Sequence, residues 1–319
     1  MEKQQNFTDI EYSNRRRTTK REAFLEKMNA TLPWDKWVSL VVPYYPDGKR
    51  GHRSQEIERM IRMTMLQTWF NLSDGGIEDA IYDSYAMKTF MEIDFSSGEQ
   101  VPDATTLCKF RKLLNEHGLQ KKFFEQVQEL LAKEGKLVSG GTIVDATIVE
   151  APNSTKNREK KRDPEMHSVK KNTKWYYGMR AHIGVDPLHG FVHTVISTAA
   201  NEAECKVAPS LLRPDDTVVY GDAGDLKMDR YVTDGIEREY RINRQRGTFK
   251  LHHGDSLAWK YEKELEKRLS SIPCKVEYVF HIVKDIFHWQ KTRYKGIHKN
   301  DCHAHLLFAS ANIYMLAMG

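Results

Sequence analysis

The sequence has few of the residues that build disulfide frameworks, zinc ribbons or membrane spans. Its 319 residues include only four cysteines, and no C-x-x-C pair occurs. They are Cys108, Cys205, Cys274 and Cys302. Isolated cysteines argue against a zinc ribbon and a disulfide framework, and they favour reduced thiols. No apolar run approaches the roughly 20 residues that a membrane helix needs, so we expect no membrane partner.

Neither sign of charge dominates the chain, but the distribution of the charged residues is informative. The chain has 49 Lys+Arg against 44 Asp+Glu, a net charge of +5. Residues 1–140 hold 21 of each sign, so the whole excess lies in residues 141–319. A mildly basic second half suits a polyanionic partner. Residues 1–17 carry charges where a signal peptide would have an apolar stretch, so we expect a cytoplasmic, nucleoid-associated protein.

What the sequence does have is enough apolar residues for a core, and in the first half they follow a helical pattern. Apolar stripes predict helices over residues 54–70, from an N-cap at Asp103 to residue 114, and over 119–133. We interpret these stripes as core. Basic residues flank the first two of them: Arg59, Arg62, Lys109, Arg111 and Lys112.

The pattern changes at Gly140-Gly141, where β-branched and apolar runs begin. These runs predict strands over residues 141–150, 175–185, 191–198 and 217–222. Helices are predicted over residues 201–212, 273–289 and 303–318. Strands mixed with helices indicate an α/β fold with a mixed sheet. We therefore expect an all-α domain over residues 1–139 and an α/β domain over residues 140–319.

One segment between the first two predicted strands is strongly basic. Residues 156–174 hold eight basic side chains against three acidic ones. This composition predicts a long, solvated loop. The basic residues are Lys156, Arg158, Lys160, Lys161, Arg162, Lys170, Lys171 and Lys174.

Several charged residues stand where chemistry is expected. Asp145 lies inside the first predicted strand, where an ionised carboxylate is costly unless it is paired or binds a metal. Asp222 ends the strand over residues 217–222, at a sheet edge where ligands usually bind. Glu277 and Lys284 are seven residues apart, which is two turns of an α-helix and predicts that they lie on the same helix face. Salt bridges, a turn cap or a charged helix face are the structural alternatives for these residues.

Blocks of sequence in the second half resemble one known family. Their order is GTIVDATIVEAPNSTKN, RDPEMH, KKNTKWYYGMRAHIGVD, TAANEAE, GDAGD and VEYVFHIVK followed by TRYKG. This order resembles transposases of the IS5 group, within the IS4-like superfamily of insertion sequences. The first half is similar more loosely, through residues 53–83 and VPDATTLCKFR. The resemblance implies an RNase H-like catalytic domain, a mixed sheet flanked by helices, with an insertion at about residues 226–271 and a helical DNA-end-binding domain before it.

The resemblance also implies a catalytic centre. Its DDE motif falls on Asp145, Asp222 and Glu277, which would be the catalytic residues and the metal ligands. Lys284 matches the signature lysine that contacts the DNA end. Carboxylate oxygens suit Mg²⁺, and two such ions can support in-line attack on a phosphodiester. We therefore expect two Mg²⁺ ions, for which Mn²⁺ can substitute, and cleavage by water followed by attack of the freed 3′-OH on target DNA.

The implied partner is double-stranded DNA, both the terminal inverted repeats of the element and the target, bound by a homodimer or a larger assembly. Phosphate contacts are expected from the basic segment over residues 156–174 and from the basic cluster over residues 15–21. Recognition of the element end is expected from the helical domain. Its candidate contacts are Arg59, Arg62, Lys109, Arg111 and Lys112.

Alternatives to these assignments stay open at this stage. Pro273 and Asp225 replace signature residues, which is compatible with a catalytically inactive, transposase-derived DNA-binding protein. An RNase H-like nuclease that acts on other nucleic acids is a third possibility.

The remaining histidines and aromatic residues allow two interpretations each. The histidines have the spacing of strand or loop residues rather than that of metal ligands. They are His182, His193, His252 and His253. The aromatic run Trp175, Tyr176 and Tyr177 suits either stacking on a flipped base or core packing.

Overall fold

The computed structural model describes residues 12, 14–46, 54–156, 158–171, 173–221, 228–242 and 274–319. The chain divides into two compact units. The first comprises the described residues up to Leu119 together with Ile313–Gly319, and the second runs from Gln120 to Asn312. Within the described ranges, no helix has both the length and the apolar character needed to cross a bilayer.

The first unit is helical, as its sequence pattern predicts. Its helices are α1 Lys20–Thr31, α2 Trp34–Val41, α3 Ile57–Phe70, α4 Asp74–Asp83, α5 Tyr85–Phe90 and α6 Ala104–Glu116. The predicted N-cap of α6 is confirmed, because the Asp103 carboxylate accepts a hydrogen bond from the backbone N–H of Thr106 at 2.8 Å. Such caps satisfy backbone N–H groups that have no partner within the helix.

Aromatic side chains form the core of this helical unit. Trp69 on α3 is 1% exposed and meets Phe24 and Phe90 edge to face, with ring centroids 5.4 and 5.5 Å apart. Phe90 in turn meets the ring of Trp34 at 5.9 Å. Edge-to-face pairs of this kind add to the stabilisation that comes from burial. The interpretation of the α3 apolar stripe as core is therefore confirmed.

The second unit combines a sheet with helices. The helices and strands from residue 119 onwards are α7 Leu119–Lys133, β1 Gly141–Glu150, β2 His167–Lys171, β3 Lys174–Val185, β4 Val192–Ala199, α8 Glu204–Val207, β5 Val218–Gly221, β6 Glu239–Ile242, α9 Cys274–His281 and α10 Ile297–Met318. The bounds of α7 and β1 are those predicted from the sequence. Asn312 on α10 fastens that helix to β4, because its side-chain amide accepts from Val192 N at 2.9 Å and donates to Val192 O at 2.8 Å.

Strand β1 occupies the centre of a mixed sheet. It pairs antiparallel with β3, where Asp145 faces Ile183, and parallel with β5, where Ile143 faces Tyr220. Beyond these neighbours, β4 runs antiparallel to β3 and β6 runs parallel to β5. Strand β2 pairs with the first half of β3 and β4 with the second half. Strand β1 is therefore hydrogen-bonded to β5 along its first three residues and to β3 from Ile143 onwards, which holds the residues that it carries.

Three predicted elements differ from the structure. The helix predicted over residues 201–212 is only the short α8 followed by a 3₁₀ turn over Ala208–Leu211. Pro209 accounts for the change, because its ring lacks an N–H and clashes with a continuing α-helix. The helix predicted over residues 303–318 begins six residues earlier, at Ile297. The helix predicted over residues 273–289 is α9 followed by a π-helical turn over Ile282–Ile286.

The solvated loop predicted over residues 156–174 also needs correction. Its last part is strand β2, which forms a hairpin with β3. Lysines at positions 170 and 171 concealed this strand, because lysine is depleted in strands and the charge pattern favours a loop.

At Gly178 the backbone of β1 comes so close to β3 that a side chain has no room, which leads to a prediction about stability. A Cβ at this position would press on Val149 O and lie 2.9 Å from Ala151 N. We expect Gly178→Ala to lower the free energy of unfolding by about 1–3 kcal/mol, because backbone atoms on a central strand cannot move aside. Chemical denaturation measures the change. The control is Gly75→Ala on α4, where a Cβ would meet nothing within 4 Å; an equal loss in both variants would contradict the prediction.

Candidate active site

The carboxylate of Asp145 lies at the middle of β1, as the sequence predicts. Its neighbours Val144 and Ala146 are buried, whereas Asp145 itself is only partly buried. One carboxylate oxygen accepts a hydrogen bond from Ala146 N at 2.6 Å. The rigid strand thus holds this carboxylate at a position that solvent still reaches.

Lys284 lies close to Asp145, and the sequence alone did not indicate how. Its ammonium group donates a hydrogen bond to the backbone carbonyl of Ile148 at 3.0 Å, three residues beyond Asp145 on β1. Burial, reinforced by the charge of Lys171, lowers the pKa of Lys284, while the carboxylates of Asp285, Glu150 and Asp145 act in the opposite direction. Cations and carboxylates therefore interact electrostatically at this end of β1.

Glu277 is exposed in the first turn of α9, a helix that lies against β1. The prediction that Glu277 and Lys284 share a helix face assumed α-helical spacing over all seven residues. Lys284 instead lies in the π-helical turn, where Phe287 N donates to Ile282 O at 2.9 Å. The premise of that prediction is wrong, since a π turn is wider than an α turn.

Asp222 lies outside the described residues, as do Asp225, Pro273 and the pair His252-His253. Among the residues that the structure describes, no group of three or more His, Cys, Asp or Glu side chains is placed to hold a metal ion. Strand β5 ends at Gly221, one residue before Asp222 in the sequence. The chemistry of the candidate ligands nevertheless fits a hard divalent cation, because carboxylates supply oxygen atoms.

In the basic segment over residues 156–174, the acidic side chains are paired with other parts of the protein and the basic ones are exposed. All three of its acidic side chains bind other parts of the protein. Glu159 pairs with Lys295 at 2.5 Å, while Asp163 and Glu165 accept from the backbone N–H groups of Gly296 and Ile297 at 2.6 and 2.8 Å. The basic side chains of the segment are exposed: Lys156, Arg158, Lys160, Lys161, Arg162, Lys170, Lys171 and Lys174. The acids thus anchor the segment and the cations form its outer surface.

The arginines of the helical unit that were predicted to contact DNA have partners inside that unit. Arg62 is 4% exposed, and it binds Glu58 and Glu92 at 2.6 and 3.0 Å. Arg59 binds Glu99 at 3.1 Å. These ion pairs give both arginines a structural function, and their contact with DNA stays a prediction.

The other basic candidates of the helical unit are divided between pairing and exposure. The guanidinium group of Arg111 donates a hydrogen bond to each carboxylate oxygen of Asp74, both at 2.7 Å. Lys109 and Lys112 are exposed on α6, and Lys112 lies 3.6 Å from Glu116. DNA contacts by these three residues likewise stay predictions.

His182 and His193 are buried strand residues, as their spacing indicated. His182 shares a hydrogen bond with Thr198 Oγ1 at 2.9 Å, and His193 with Thr142 Oγ1 at 3.0 Å. Burial lowers the pKa of His182 to about 4 and that of His193 to about 3, with smaller contributions from Arg180 and Arg213. Both imidazoles are therefore neutral and belong to the core of the sheet.

The aromatic run at the start of β3 is not uniformly packed. Trp175 is 67% exposed, which overturns the core-packing alternative for this residue. Tyr177 is partly buried, and its hydroxyl donates to the backbone carbonyl of Asp163 at 2.6 Å.

The arrangement of the strands around β1 is that of an RNase H-like sheet. The antiparallel strands β3 and β4 lie on one side of β1, and the parallel strands β5 and β6 lie on the other. This fold is used for nucleic-acid phosphodiester chemistry.

Comparison with known families agrees with this architecture. Residues 13–113 match the family described as Transposase domain (DUF772), and residues 137–313 match the Transposase DDE domain. The second match covers more than half of the chain. No solved structure matches the sequence. The chain belongs to the DDE transposase family, which confirms the predicted RNase H-like fold class.

Membership of this family also establishes the reaction class. The protein is a DNA transposase, and its activity is metal-dependent cleavage and transesterification of DNA. It therefore binds DNA and requires divalent metal ions. The predictions of a transposase and of an enzyme are confirmed at this level.

Sequence reasoning missed the residues that surround Lys284. Glu150 ends β1 and forms a parallel bridge with Lys291, and Thr292 N donates to Glu150 O at 2.8 Å. Lys171, on the hairpin, acts on the charge of Lys284. No spacing in the sequence indicates that Glu150 and Lys171 lie near Lys284, because each of them is more than 100 residues away from it along the chain.

The buried histidines predict a loss of stability in acid. The unfolded chain binds protons on these residues below pH 6.5, whereas the folded chain does so only near pH 4 and pH 3. Their contribution is therefore present above pH 6.5 and is lost as the pH falls towards 4. At pH 5 we expect a loss of about 2 kcal/mol per histidine relative to pH 7. Thermal melts between pH 7 and pH 5 measure it.

The comparison between two histidine variants isolates this effect. His193→Gln should flatten part of the pH dependence of unfolding. His167→Gln, at an exposed position on β2, is the control and should leave it unchanged. A wild-type curve in the His193 variant would contradict the assignment.

Proposed function

We propose that this chain is a transposase of the IS5 group that cuts the terminal inverted repeats of its element and joins the freed 3′-OH to target DNA. We further propose that it acts in the bacterial cytoplasm at the nucleoid, as a homodimer or larger assembly on two element ends. The observation that supports this most directly is the position of Asp145 on the central strand, beside Lys284. It accords with the order of the sequence blocks that resemble this group.

The catalytic carboxylates in this proposal are Asp145, Asp222 and Glu277. In the sequence, Asp145 lies two residues beyond Ile143, and Asp222 two residues beyond Tyr220, the parallel partner of Ile143. This register supports a shared site for the two aspartates, since β1 and β5 run in the same direction. Glu277 projects from α9, which lies against β1.

Two Mg²⁺ ions, or Mn²⁺ in their place, would be held by these carboxylates and would supply Lewis-acid activation of the attacking oxygen and stabilisation of the leaving oxygen. The protein's own contribution is to fix the carboxylates on paired backbone. Lys284 adds a positive charge near the scissile phosphate. Its hydrogen bond to Ile148 O holds that charge beside β1.

The DNA backbone in this proposal lies along the basic segment. Its exposed cations, from Lys156 to Lys171, neutralise phosphates without reading sequence. Supporting this, the acids of the segment are engaged with Lys295 and with the start of α10. In the helical unit we propose Lys109 as a direct contact, with Arg59, Arg62 and Arg111 holding the helices that present it.

Replacing one carboxylate tests the catalytic assignment. We expect Asp145→Ala to abolish nicking of a duplex that carries the inverted repeats flanking the gene, because a metal ligand is removed, while binding of the duplex is retained. Labelled duplex with Mg²⁺ measures cleavage, and a mobility shift without Mg²⁺ measures binding. The matched control is Asp215→Ala, at an exposed position near β5, which should cleave normally.

The outcomes of that experiment separate the candidate functions. Cleavage by Asp145→Ala at the wild-type rate would overturn the assignment. Binding without nicking by the wild-type protein would indicate the inactive DNA-binding alternative. Nicking with no preference for the repeat boundary would indicate a general nuclease. Removal of metal by a chelator should stop all cleavage, and Mg²⁺ or Mn²⁺ should restore it.

Salt dependence tests the phosphate contacts. The double variant Lys156→Gln, Lys160→Gln should make the plot of log affinity against log salt less steep, by about 0.9 for each phosphate that the protein no longer neutralises. The double variant Lys121→Gln, Lys133→Gln removes the same charge from exposed positions on α7 and should keep the wild-type slope. Equal slopes in the two double variants would contradict the proposed DNA path.

A further inference from the structure

Trp175 is the most exposed of the tryptophans that the structure describes. It is 67% exposed, whereas Trp37, Trp69 and Trp289 are at most 1% exposed. Among the residues that the structure describes, no other ring and no cation packs on its indole. A tryptophan buries a large area wherever it packs, so an indole left this exposed is accessible to a binding partner.

The surroundings of Trp175 are positively charged. On the β2–β3 hairpin, Trp175 lies directly opposite Lys170, and the next pair is Lys171 with Lys174. Directly opposed residues of antiparallel strands share a face, so Lys170 and Trp175 are on the same face of the hairpin. The sequence from residue 167 to residue 177 contains no acidic residue. The hairpin thus combines the exposed indole of Trp175 with lysine side chains, and it contains no carboxylate to neutralise their charge.

The hairpin also lies near the candidate active site. Lys171 is close enough to Lys284 for its charge to disfavour the charge on Lys284. Lys284 in turn binds the carbonyl of Ile148, three residues beyond Asp145. Along β3, Trp175 lies eight residues before Ile183, which faces Asp145, so the indole and this carboxylate are on the same face of the sheet and at most about 26 Å apart. DNA that reaches Asp145 can therefore extend to the hairpin within a few nucleotides.

We propose that Trp175 stacks on an unpaired base of the DNA at the cleaved end, while the lysines of the hairpin hold the adjoining phosphates. This rests on the proposed function and adds a base-binding residue to it. A base inside a duplex is covered on both faces by its neighbours, so only an unpaired base offers a face to the indole. Combining stacking with a positively charged groove is the general way in which proteins bind single strands.

The test compares two DNA probes bound by the full-length protein in the absence of metal, so that no cleavage occurs. One probe is a blunt duplex, and the other is the same duplex with a single-stranded 3′ thymidine tail. We expect Trp175→Ala to weaken binding of the tailed duplex by about 5- to 150-fold, the range for one base stacked on an aromatic ring. Its binding of the blunt duplex should stay at the wild-type level. Fluorescence anisotropy measures both affinities.

Two further variants make the result specific. Trp175→Phe keeps a ring and should retain most of the preference for the tailed probe. Tyr231→Ala removes another exposed aromatic side chain of the same unit, 45% exposed, and should bind both probes as the wild type does. Circular dichroism confirms that each variant is folded.

Equal affinity of Trp175→Ala and the wild type for the tailed probe would overturn the proposal. An equal loss on both probes would also overturn it, because stacking on an unpaired base cannot weaken a blunt duplex. Neither result depends on cleavage. If Trp175→Ala binds normally while Asp145→Ala fails to cleave, the base-stacking role is refuted and the transposase assignment stands.

Discussion

The pairing of β1 on both edges is the constraint on which the rest of the second unit depends. An isolated strand could not hold a carboxylate in one place, but β1 is hydrogen-bonded to β3 on one side and to β5 on the other. Its continuation is tied as well, because Thr292 N donates to Glu150 O. Asp145 is itself paired with Ile183 of β3 and lies two residues beyond Ile143, the last residue paired with β5, so a shift of its backbone would disturb these ladders. A strand in this position preorganises a site before any substrate binds.

Charge sorting is the second organising feature of the protein. In the basic segment, carboxylates turn towards Lys295 and the start of α10, and the cations are left outside. In the helical unit the opposite occurs, since Arg62 is buried against Glu58 and Glu92. A nearly neutral composition can thus leave basic side chains exposed in one place and paired with carboxylates in another. The net charge of the chain therefore predicts the surface charge of neither the basic segment nor the helical unit.

The sequence predicted the regular elements well where side-chain pattern alone determines them. The bounds of α7 and β1 were correct, and the position of Asp145 inside β1 follows from them. Prediction failed where a single residue or the backbone decides the outcome. Pro209 ends the helix that was predicted over residues 201–212, and no side-chain pattern predicts the π turn at Ile282–Ile286. The burial of Arg62 was equally invisible, because a charged side chain is expected at the surface unless its partners are known.

The candidate site was predictable only in part, because it is assembled from distant segments. Family resemblance supplied Asp145, Asp222 and Glu277 as a set, and their grouping around metal ions is still a proposal. The contacts of Lys284 with Ile148 and Lys171 depend on how α9, β1 and the hairpin pack. Spacing along the chain cannot supply such information.

A site of carboxylates that acts on DNA must solve an electrostatic problem. A phosphate that approaches one carboxylate to 4 Å meets a repulsion of about 4 kcal/mol at an effective dielectric constant of 20. Divalent ions offset most of this repulsion, but they must themselves be attracted, which requires that the carboxylates stay ionised. In the proposed site, Lys284 and Lys171 would act on the other side of the balance, because a positive charge favours both a neighbouring ionised carboxylate and an approaching phosphate. Without such neighbours, a carboxylate site would depend on the metal ions alone to offset its repulsion of the phosphate.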